Sequence, residues 1–187
     1  MNNCEHSVTV ARLTTSQKEW FNSTSSLKIL NSFPSNKAME FRKRHIKGFI
    51  VPGSCNHYIG VSSGNLLFGI LGFSNPTYGN YDLLLKADTT PSEYNGATEL
   101  LLYILRTREV KRLLENKFCR EINTIYSMCF SSHQVISRYR KHGELVTKIP
   151  IEINNQNEGC NLGYIFQTGS IVSLKEAKAR FIQKWKN

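Results

Sequence analysis

The sequence predicts a mixed α/β fold in which helices flank one sheet. Apolar, strand-like segments occupy the middle of the chain, and helical patterns lie before, between and after them. In the segment Ile125–Gly143, an apolar strand also runs into a polar turn and then into a short helix. With 187 residues and 40% hydrophobic composition, the chain is long enough for one domain with a substantial core.

The first predicted elements are short. Val8–Leu13 can form a strand, and Ser16–Phe21 has the pattern of a helix start. A polar run then interrupts the chain. Ser35 is predicted to be the N-cap of an amphipathic helix over residues 36–43.

The middle of the chain is predicted to be strand-rich. His57–Val61 and Leu66–Phe73 flank a polar turn that contains Gly64, which is typical of a hairpin. Tyr81–Ala87 is predicted as a third apolar strand. The polar stretch 88–96 is then predicted to be a loop that leads into a long helix.

That helix carries an apolar stripe that changes face. The stripe begins with Ala97, Leu100 and Ile104 and continues with Val110 and Leu114, which do not lie in line at 100° per residue. We therefore expect a bend or two helices. The remaining predictions are a strand at Glu121–Phe130, a helix at Ser132–Lys141, a strand at Glu144–Ile151, a polar loop at 154–159, a strand at Leu162–Gln167 and a helix opened by the capping box Ser173–Glu176.

Charge and composition limit the functional classes. The formal net charge is +10, which favours a polyanionic partner such as nucleic acid or a cofactor with several phosphates, although an ordinary basic protein is the alternative. The five cysteines form no C-x-x-C pair, which argues against a disulfide framework or structural zinc. No apolar run is long enough for a membrane span and no signal-peptide pattern opens the chain, so a cytoplasmic protein is expected.

The turn after the Ile125 strand holds the main catalytic candidates. Ser132 and His133 are predicted at the start of a helix, where backbone N–H groups face a ligand. His133 could act as a general base or metal ligand, and Tyr139 as an acid near a leaving group. The alternative is that Ser132 only caps the helix and Tyr139 only packs in the core.

Two further places hold candidates. The loop and helix start at Asp88, Asn95, Gly96, Ala97 and Thr98 could offer N–H groups to an anionic cofactor, or could be an ordinary connection.

His45 lies among four cations in residues 42–47, which disfavour its imidazolium form and leave a neutral base or ligand. A surface histidine with no such role is the alternative. No P-loop, Rossmann fingerprint, nucleophile elbow or H-E-x-x-H motif is present.

The order of these elements resembles the GNAT acyltransferase superfamily over about Val8–Ile151. Its loop before the cofactor helix, Gln/Arg-x-x-Gly-x-Gly/Ala, corresponds to Glu93-Tyr-Asn-Gly-Ala-Thr98, which departs from that motif by a glutamate at the first position. The resemblance implies an α+β fold: a single GNAT-like domain over 1–151 with a mostly antiparallel sheet, and a strand and basic helix over 152–187 packed on the same domain. It also implies acetyl-CoA or a related acyl-CoA as donor.

Within that superfamily the chain is similar to the bacteriophage Mom-type DNA-modification proteins. The residues that carry this likeness are His45 and Pro52, the hairpin end Leu67–Pro76, the loop Pro91–Thr98, and Tyr126, Ser127, Ser132, His133 and Tyr139. It implies acyl-CoA-dependent modification of adenine N6 in phage or plasmid DNA as antirestriction, and a histidine-bound iron. A flipped base could then stack on Tyr58, Phe73, Tyr78 or Tyr94.

One departure from the Mom-type pattern keeps other functions open. The family's aspartate has no counterpart, because Met128, Cys129 and Phe130 follow Ser127. An N-acetyltransferase of a small molecule or protein is one alternative. A non-catalytic DNA-binding protein on an acyltransferase scaffold is another.

Overall fold

The computed structural model describes residues 27–46, 53–64, 66–77, 79–91, 96–130, 136–153 and 156–186. The strand predicted at Val8–Leu13 and the helix predicted at Ser16–Phe21 lie outside these residues. The strands are β1 Leu27–Leu30, β2 His57–Ser63, β3 Leu66–Ser74, β4 Leu83–Thr89, β5 Thr124–Phe130, β6 Glu144–Ile153 and β7 Gln156–Gln167. The helices are α1 Ser35–His45, α2 Ala97–Leu105, α3 Arg108–Phe118, α4 Ile136–His142 and α5 Leu174–Lys186.

The seven strands form one sheet in the order β1-β2-β3-β4-β5-β7-β6. Every pair of neighbours is antiparallel except β4 and β5, which run parallel. The predicted mixed, mostly antiparallel sheet with flanking helices is therefore confirmed. The β2–β3 hairpin is confirmed as well, and its turn contains Gly64 with a φ of 57°, a value that glycine adopts without strain.

Alternate side chains of the central strands pack on opposite faces of the sheet. Tyr58 packs with Phe41 of α1 on one face, which we call the α1 face. Its neighbour Ile59 packs on the other face, in the core that contains Leu100 of α2, Tyr139 of α4 and Phe181 of α5. We call this second side the α2 face. The period of two along each strand thus assigns each strand residue to one layer.

The two-helix interpretation of the long amphipathic segment is confirmed. The chain turns at Thr107, whose buried hydroxyl donates to the Ile104 carbonyl at 2.7 Å and accepts from the Val110 amide at 3.3 Å. Thr107 is therefore the N-cap of α3, and the two helices present different apolar stripes to one core.

Several predicted boundaries are wrong. Pro34, and not Ser35, precedes the first turn of α1, and its carbonyl accepts from the Ala38 amide. β7 begins at Gln156, so most of the predicted polar loop is strand, because its backbone pairs with β6.

The capping box forms only in part. Ser173 accepts from the Glu176 amide, but Glu176 reaches the Val172 amide. In the described part of the chain, no helix is long and apolar enough to cross a membrane.

Candidate active site

The central feature of the sheet is a wedge between β4 and β5. The two strands are described in full, and they pair at two positions only, Leu83 with Ile125 and Leu84 with Tyr126. Both pairs lie at the amino-terminal ends of the strands. Beyond them β4 pairs only with β3, and β5 only with β7. The sheet is therefore open between the carboxyl-terminal halves of β4 and β5.

Asp82 fastens the closed end of this wedge. Its Oδ2 accepts from the amides of Asn123 and Thr124, each at 2.8 Å, and from the Thr124 hydroxyl at 3.0 Å. Burial alone would raise the pKa of Asp82, but these hydrogen bonds and the charge of Arg120 lower it. The carboxylate thus stays ionised and ties the start of β4 to the start of β5.

Tyr139 of α4 joins the two open arms of the wedge. Its hydroxyl donates to Asp88 Oδ2 on β4 at 2.7 Å and lies 3.3 Å from the Ser127 hydroxyl on β5. Ser127 in turn donates to the Leu85 carbonyl on β4 at 3.1 Å. Tyr139 is 3% exposed, and its ring meets Phe166 of β7 edge-on. A buried tyrosine, a buried serine and a half-buried carboxylate are therefore held together.

The proton count of this cluster restricts its chemistry. A serine or tyrosine hydroxyl has one proton. The Tyr139 hydroxyl directs its proton to Asp88, and the Ser127 hydroxyl directs its proton to the Leu85 carbonyl. The contact between the two hydroxyls therefore becomes a hydrogen bond only when one proton changes partner. Tyr139 can therefore redirect its proton without moving its ring.

The electrostatics keep Tyr139 protonated. Burial, followed by the charge of Asp88, raises the pKa of Tyr139 well above its ordinary value. The same two causes raise the pKa of the nearby Cys129 thiol to about 11, against the charge of Arg140. Tyr139 is thus a proton donor and not a base, and Cys129 is a neutral thiol with little nucleophilic character.

The start of α2 provides a second element beside β4. Gly96 stands at the N-cap with a φ of 84°, in the left-handed region that glycine tolerates. Ala97 and Thr98 are buried, and the Thr98 hydroxyl lies 3.0 Å from that of Thr90 just after β4. The first amides of α2 and its positive dipole end suit an anionic group here.

Cations surround the tyrosine on α4. Arg138 is half-buried, whereas Arg140 and Lys141 are exposed. They lie on either side of Tyr139 in a helix of seven residues, and Arg140 is close enough to act on the Cys129 thiol. The cluster at Tyr139 therefore has a positively charged rim.

The structure brings together only part of the predicted site. Tyr139 and Asp88 are in contact, and Gly96, Ala97 and Thr98 open a helix as predicted. Asp88 is not in a loop, however, but in β4, because the strand continues to Thr89. Ser132, His133 and Asn95 lie outside the described residues.

His45 occupies a different place. It is the last residue of α1, on the α1 face, with its ring 4.6 Å from that of Phe41. Tyr139 packs on the α2 face. The sheet therefore stands between these two predicted catalytic residues.

Two of the predicted stacking aromatics are ruled out for that role. Tyr58 is 1% exposed and Phe73 0%, because both face the protein core from the central strands. Tyr78 and Tyr94 lie outside the described residues. Among the residues that are described, no group of three or more His, Cys, Asp or Glu could hold a metal ion, so the predicted iron is unsupported.

Ser127 was named only as part of the Mom-type resemblance, and sequence reasoning missed its contact with Tyr139 and the pairing of Asp88 with Tyr139. The acid that the Mom-type pattern would place in β5 is absent there, yet a carboxylate meets the tyrosine from β4 instead. Only the fold could reveal this pair, since 51 positions separate the two residues.

Comparison with known proteins agrees with this architecture. A family model described as the phage GNAT-like domain matches residues 25–186. No curated protein matches the chain in sequence.

Three solved structures are similar in fold, each over 76% of this chain. A GNAT-family protein from Desulfovibrio desulfuricans has a TM-score of 0.53 at 9% identity, over 99% of that chain. A protein from Staphylococcus epidermidis described as an acetyltransferase has 0.51 at 11%, over 99%. An N-acetyltransferase from Staphylococcus aureus has 0.51 at 7%, over 98%. At such identities the likeness concerns the fold alone.

Proposed function

Because the chain belongs to the phage GNAT-like domain family, we propose that it transfers an acyl group from acyl-coenzyme A to an amine. The observation that carries this proposal is the Tyr139–Asp88 pair on the open side of the β4–β5 wedge. A protonated tyrosine and a carboxylate in hydrogen-bond contact can supply and accept the protons that such a transfer requires.

The donor would lie in the wedge. The open stretch beside β4 leaves backbone groups unpaired by a neighbouring strand, and the amides at the start of α2 can hold phosphates next to Gly96 and Thr98. Acyl-coenzyme A supplies an activated acyl group as a thioester, together with a thiol that needs a proton after transfer. The helix start at Gly96 and the unpaired stretch of β4 therefore suit the charge and the polar groups of such a ligand.

Asp88 and Tyr139 would divide the proton chemistry between them. Asp88 takes the proton that the attacking amine gives up. Protonated Asp88 then donates to the Tyr139 oxygen, and Tyr139 gives its own proton to the leaving sulfur. After burial, the charge of Asp88 is the next cause that raises the pKa of Tyr139. Protonation of Asp88 removes that charge and therefore makes Tyr139 a stronger acid when the sulfur leaves. Both groups return to their starting state.

The proposed acceptor is the N6 amino group of adenine in DNA. Two features support it: the net charge of +10, and the cations Arg138, Arg140 and Lys141 around Tyr139. A DNA substrate needs phosphate contacts of this kind. The target base would be turned out of the duplex to reach the buried pair. An antirestriction role in a phage-infected cytoplasm would follow.

Two other functions compete with this one. A small-molecule or protein N-acetyltransferase would use the same wedge and the same Tyr139–Asp88 pair, and its expected signature is acetyl-CoA binding without DNA binding. A non-catalytic DNA-binding protein would show salt-sensitive DNA binding and no acetyl-CoA binding. The contact between a half-buried acid and a buried tyrosine favours a catalytic protein.

Thiol release decides between these functions. The purified protein is incubated with acetyl-CoA and, in turn, duplex DNA, single-stranded DNA, polyamines and lysine peptides, while free thiol is measured. The proposal predicts DNA-dependent release that Tyr139→Phe lowers by roughly 10²-fold or more. Release with small amines or peptides but not DNA would favour the second function. No release with any acceptor would contradict acyl transfer from acetyl-CoA.

A further inference from the structure

Arg42 is a buried cation with neutral partners. It is 5% exposed, and its Nη1 donates to the Gly53 carbonyl at 2.7 Å and to the Tyr58 hydroxyl at 3.2 Å. Its Nη2 donates to the Lys86 carbonyl of β4 at 3.3 Å. Among the described residues, no carboxylate is a hydrogen-bond or ion-pair partner of this guanidinium.

The stability of the folded protein alone gives little reason for a buried arginine at position 42. Removing a guanidinium from water is costly unless other groups replace its hydration, and an apolar side chain of similar length could fill the same space. What an apolar side chain could not do is bind the Gly53 and Lys86 carbonyls at once. The planar, forked guanidinium can.

Lys86 is the extra residue of a β-bulge. On β3, Gly72 and Phe73 are consecutive, and their partners on β4 are Ala87 and Leu85. Lys86 thus has no partner of its own on β3, and it is this residue whose carbonyl Arg42 binds. Bulges of this kind turn the following side chains to the other face of the strand.

The bulge decides which way Asp88 points. Leu85 lies opposite Phe73, and Asp88 lies opposite Leu71, so both β4 residues share the α2 face with their partners. Three positions separate Leu85 from Asp88, whereas residues on one face of a regular strand are separated by an even number. If β4 instead continued as a regular strand through Lys86, Asp88 would point to the α1 face, away from Tyr139.

We propose that Arg42 is a positioning residue: by holding the Lys86 carbonyl from the α1 face, it fixes the bulge that presents Asp88 to Tyr139 on the α2 face. The geometric part of this inference stands on the contacts above, and its catalytic part rests on the proposed acyl transfer. Arg42 acts through Asp88 and touches no reacting atom.

The test uses a signal that needs no substrate. A buried tyrosine hydroxyl bonded to a carboxylate exchanges slowly with water, so its proton can be sought by NMR and assigned by its loss in Tyr139→Phe. Asp88→Asn gives the signature of a pair that has lost its charge. Arg42→Met is expected to shift the resonance toward that of Asp88→Asn, and Arg42→Lys to shift it less. Arg44→Met is the matched control, because Arg44 lies on the same helix in an exposed pair with Glu40.

Activity then separates the two claims. Arg42→Met should lower kcat by about tenfold or more with the KM for acetyl-CoA nearly unchanged, and should have no further effect in an Asp88→Asn background. A folded Arg42→Met protein with the wild-type resonance would overturn the inference. If that variant does not fold, a wild-type resonance in Arg42→Lys would overturn it instead. If Asp88→Asn leaves transfer intact, the proposed function fails while the NMR result still decides the role of Arg42.

Discussion

The Tyr139 hydroxyl on α4 donates a 2.7 Å hydrogen bond to the Asp88 carboxylate on β4, across the open side of the sheet. Tyr139 packs against Phe166 of β7, whereas Asp88 lies on β4, so this contact links the two sides of the wedge. Burial of the phenol, followed by the charge of Asp88 beside it, raises the pKa of Tyr139.

Replacing Tyr139 by phenylalanine removes the proposed proton donor while keeping the ring in its edge-on contacts. We expect kcat to fall by about 10²-fold or more, and the free energy of unfolding to fall by about 1–3 kcal/mol, because Asp88 loses a buried donor. Steady-state thiol release and urea unfolding measure the two effects.

Tyr164→Phe is the matched control for that change. Tyr164 is fully buried near Tyr139, and its hydroxyl has no hydrogen-bond partner among the described residues. Its loss should leave activity within about twofold and stability unchanged or slightly higher. Equal effects of the two substitutions would mean that packing, and not the Asp88 contact, explains the Tyr139 result.

The raised pKa of Tyr139 predicts a specific loss of stability in alkali. Below pH 10 both the folded and unfolded states hold the phenol proton, so its contribution is fully present. Above about pH 10 the unfolded chain releases this proton while the folded protein keeps it, and stability falls as pH rises. Urea unfolding between pH 8 and 12 should therefore show a shallower alkaline decline for Tyr139→Phe, by up to about 1.4 kcal/mol per pH unit. Parallel curves above pH 10 would contradict the assignment.

Cys129 is predicted not to carry the acyl group. Its pKa of about 11 leaves the thiol protonated at neutral pH, since burial and Asp88 both oppose the thiolate. Cys129→Ser should keep at least about half of the wild-type kcat, and mass spectrometry of wild-type protein mixed with acetyl-CoA should find no acylated Cys129. An acyl adduct at this residue would indicate a two-step transfer.

Gly96 is predicted to serve both folding and donor binding. A Cβ at its φ of 84° is strained, so Gly96→Ala should cost about 1–2 kcal/mol and raise the KM for acetyl-CoA by disturbing the start of α2. Gly64→Ala is the matched control, because Gly64 has a φ of 57° in the β2–β3 turn with open space around it. It should cost a similar amount of stability and leave KM unchanged.

Local patterns predicted the hairpin and the bend at Thr107, because turn chemistry and the face of an apolar stripe depend on residues close in sequence. They failed for β7, whose polar residues 156–159 form a strand only because β6 pairs with them. Backbone pairing with a distant partner outweighed the composition of that segment.

The site was predictable in its parts and not in its assembly. Tyr139 and the helix start at Gly96 were found from their position after a strand or loop. Asp88 was placed in a loop because the polar run that follows it is typical of one. Its orientation toward Tyr139 depends on a bulge at Lys86, and a single extra residue in a strand leaves no mark in the sequence pattern.

Nucleoside mass spectrometry of plasmid DNA tests the central claim most directly. Plasmid is prepared from cells that express the wild-type protein, Tyr139→Phe, Asp88→Asn or the Tyr164→Phe control, and is digested to nucleosides. We predict an acyl-modified deoxyadenosine with wild-type protein and Tyr164→Phe, and at least a tenfold decrease with Tyr139→Phe and Asp88→Asn. Unmodified deoxyadenosine alone in the wild-type sample would contradict DNA as the acceptor.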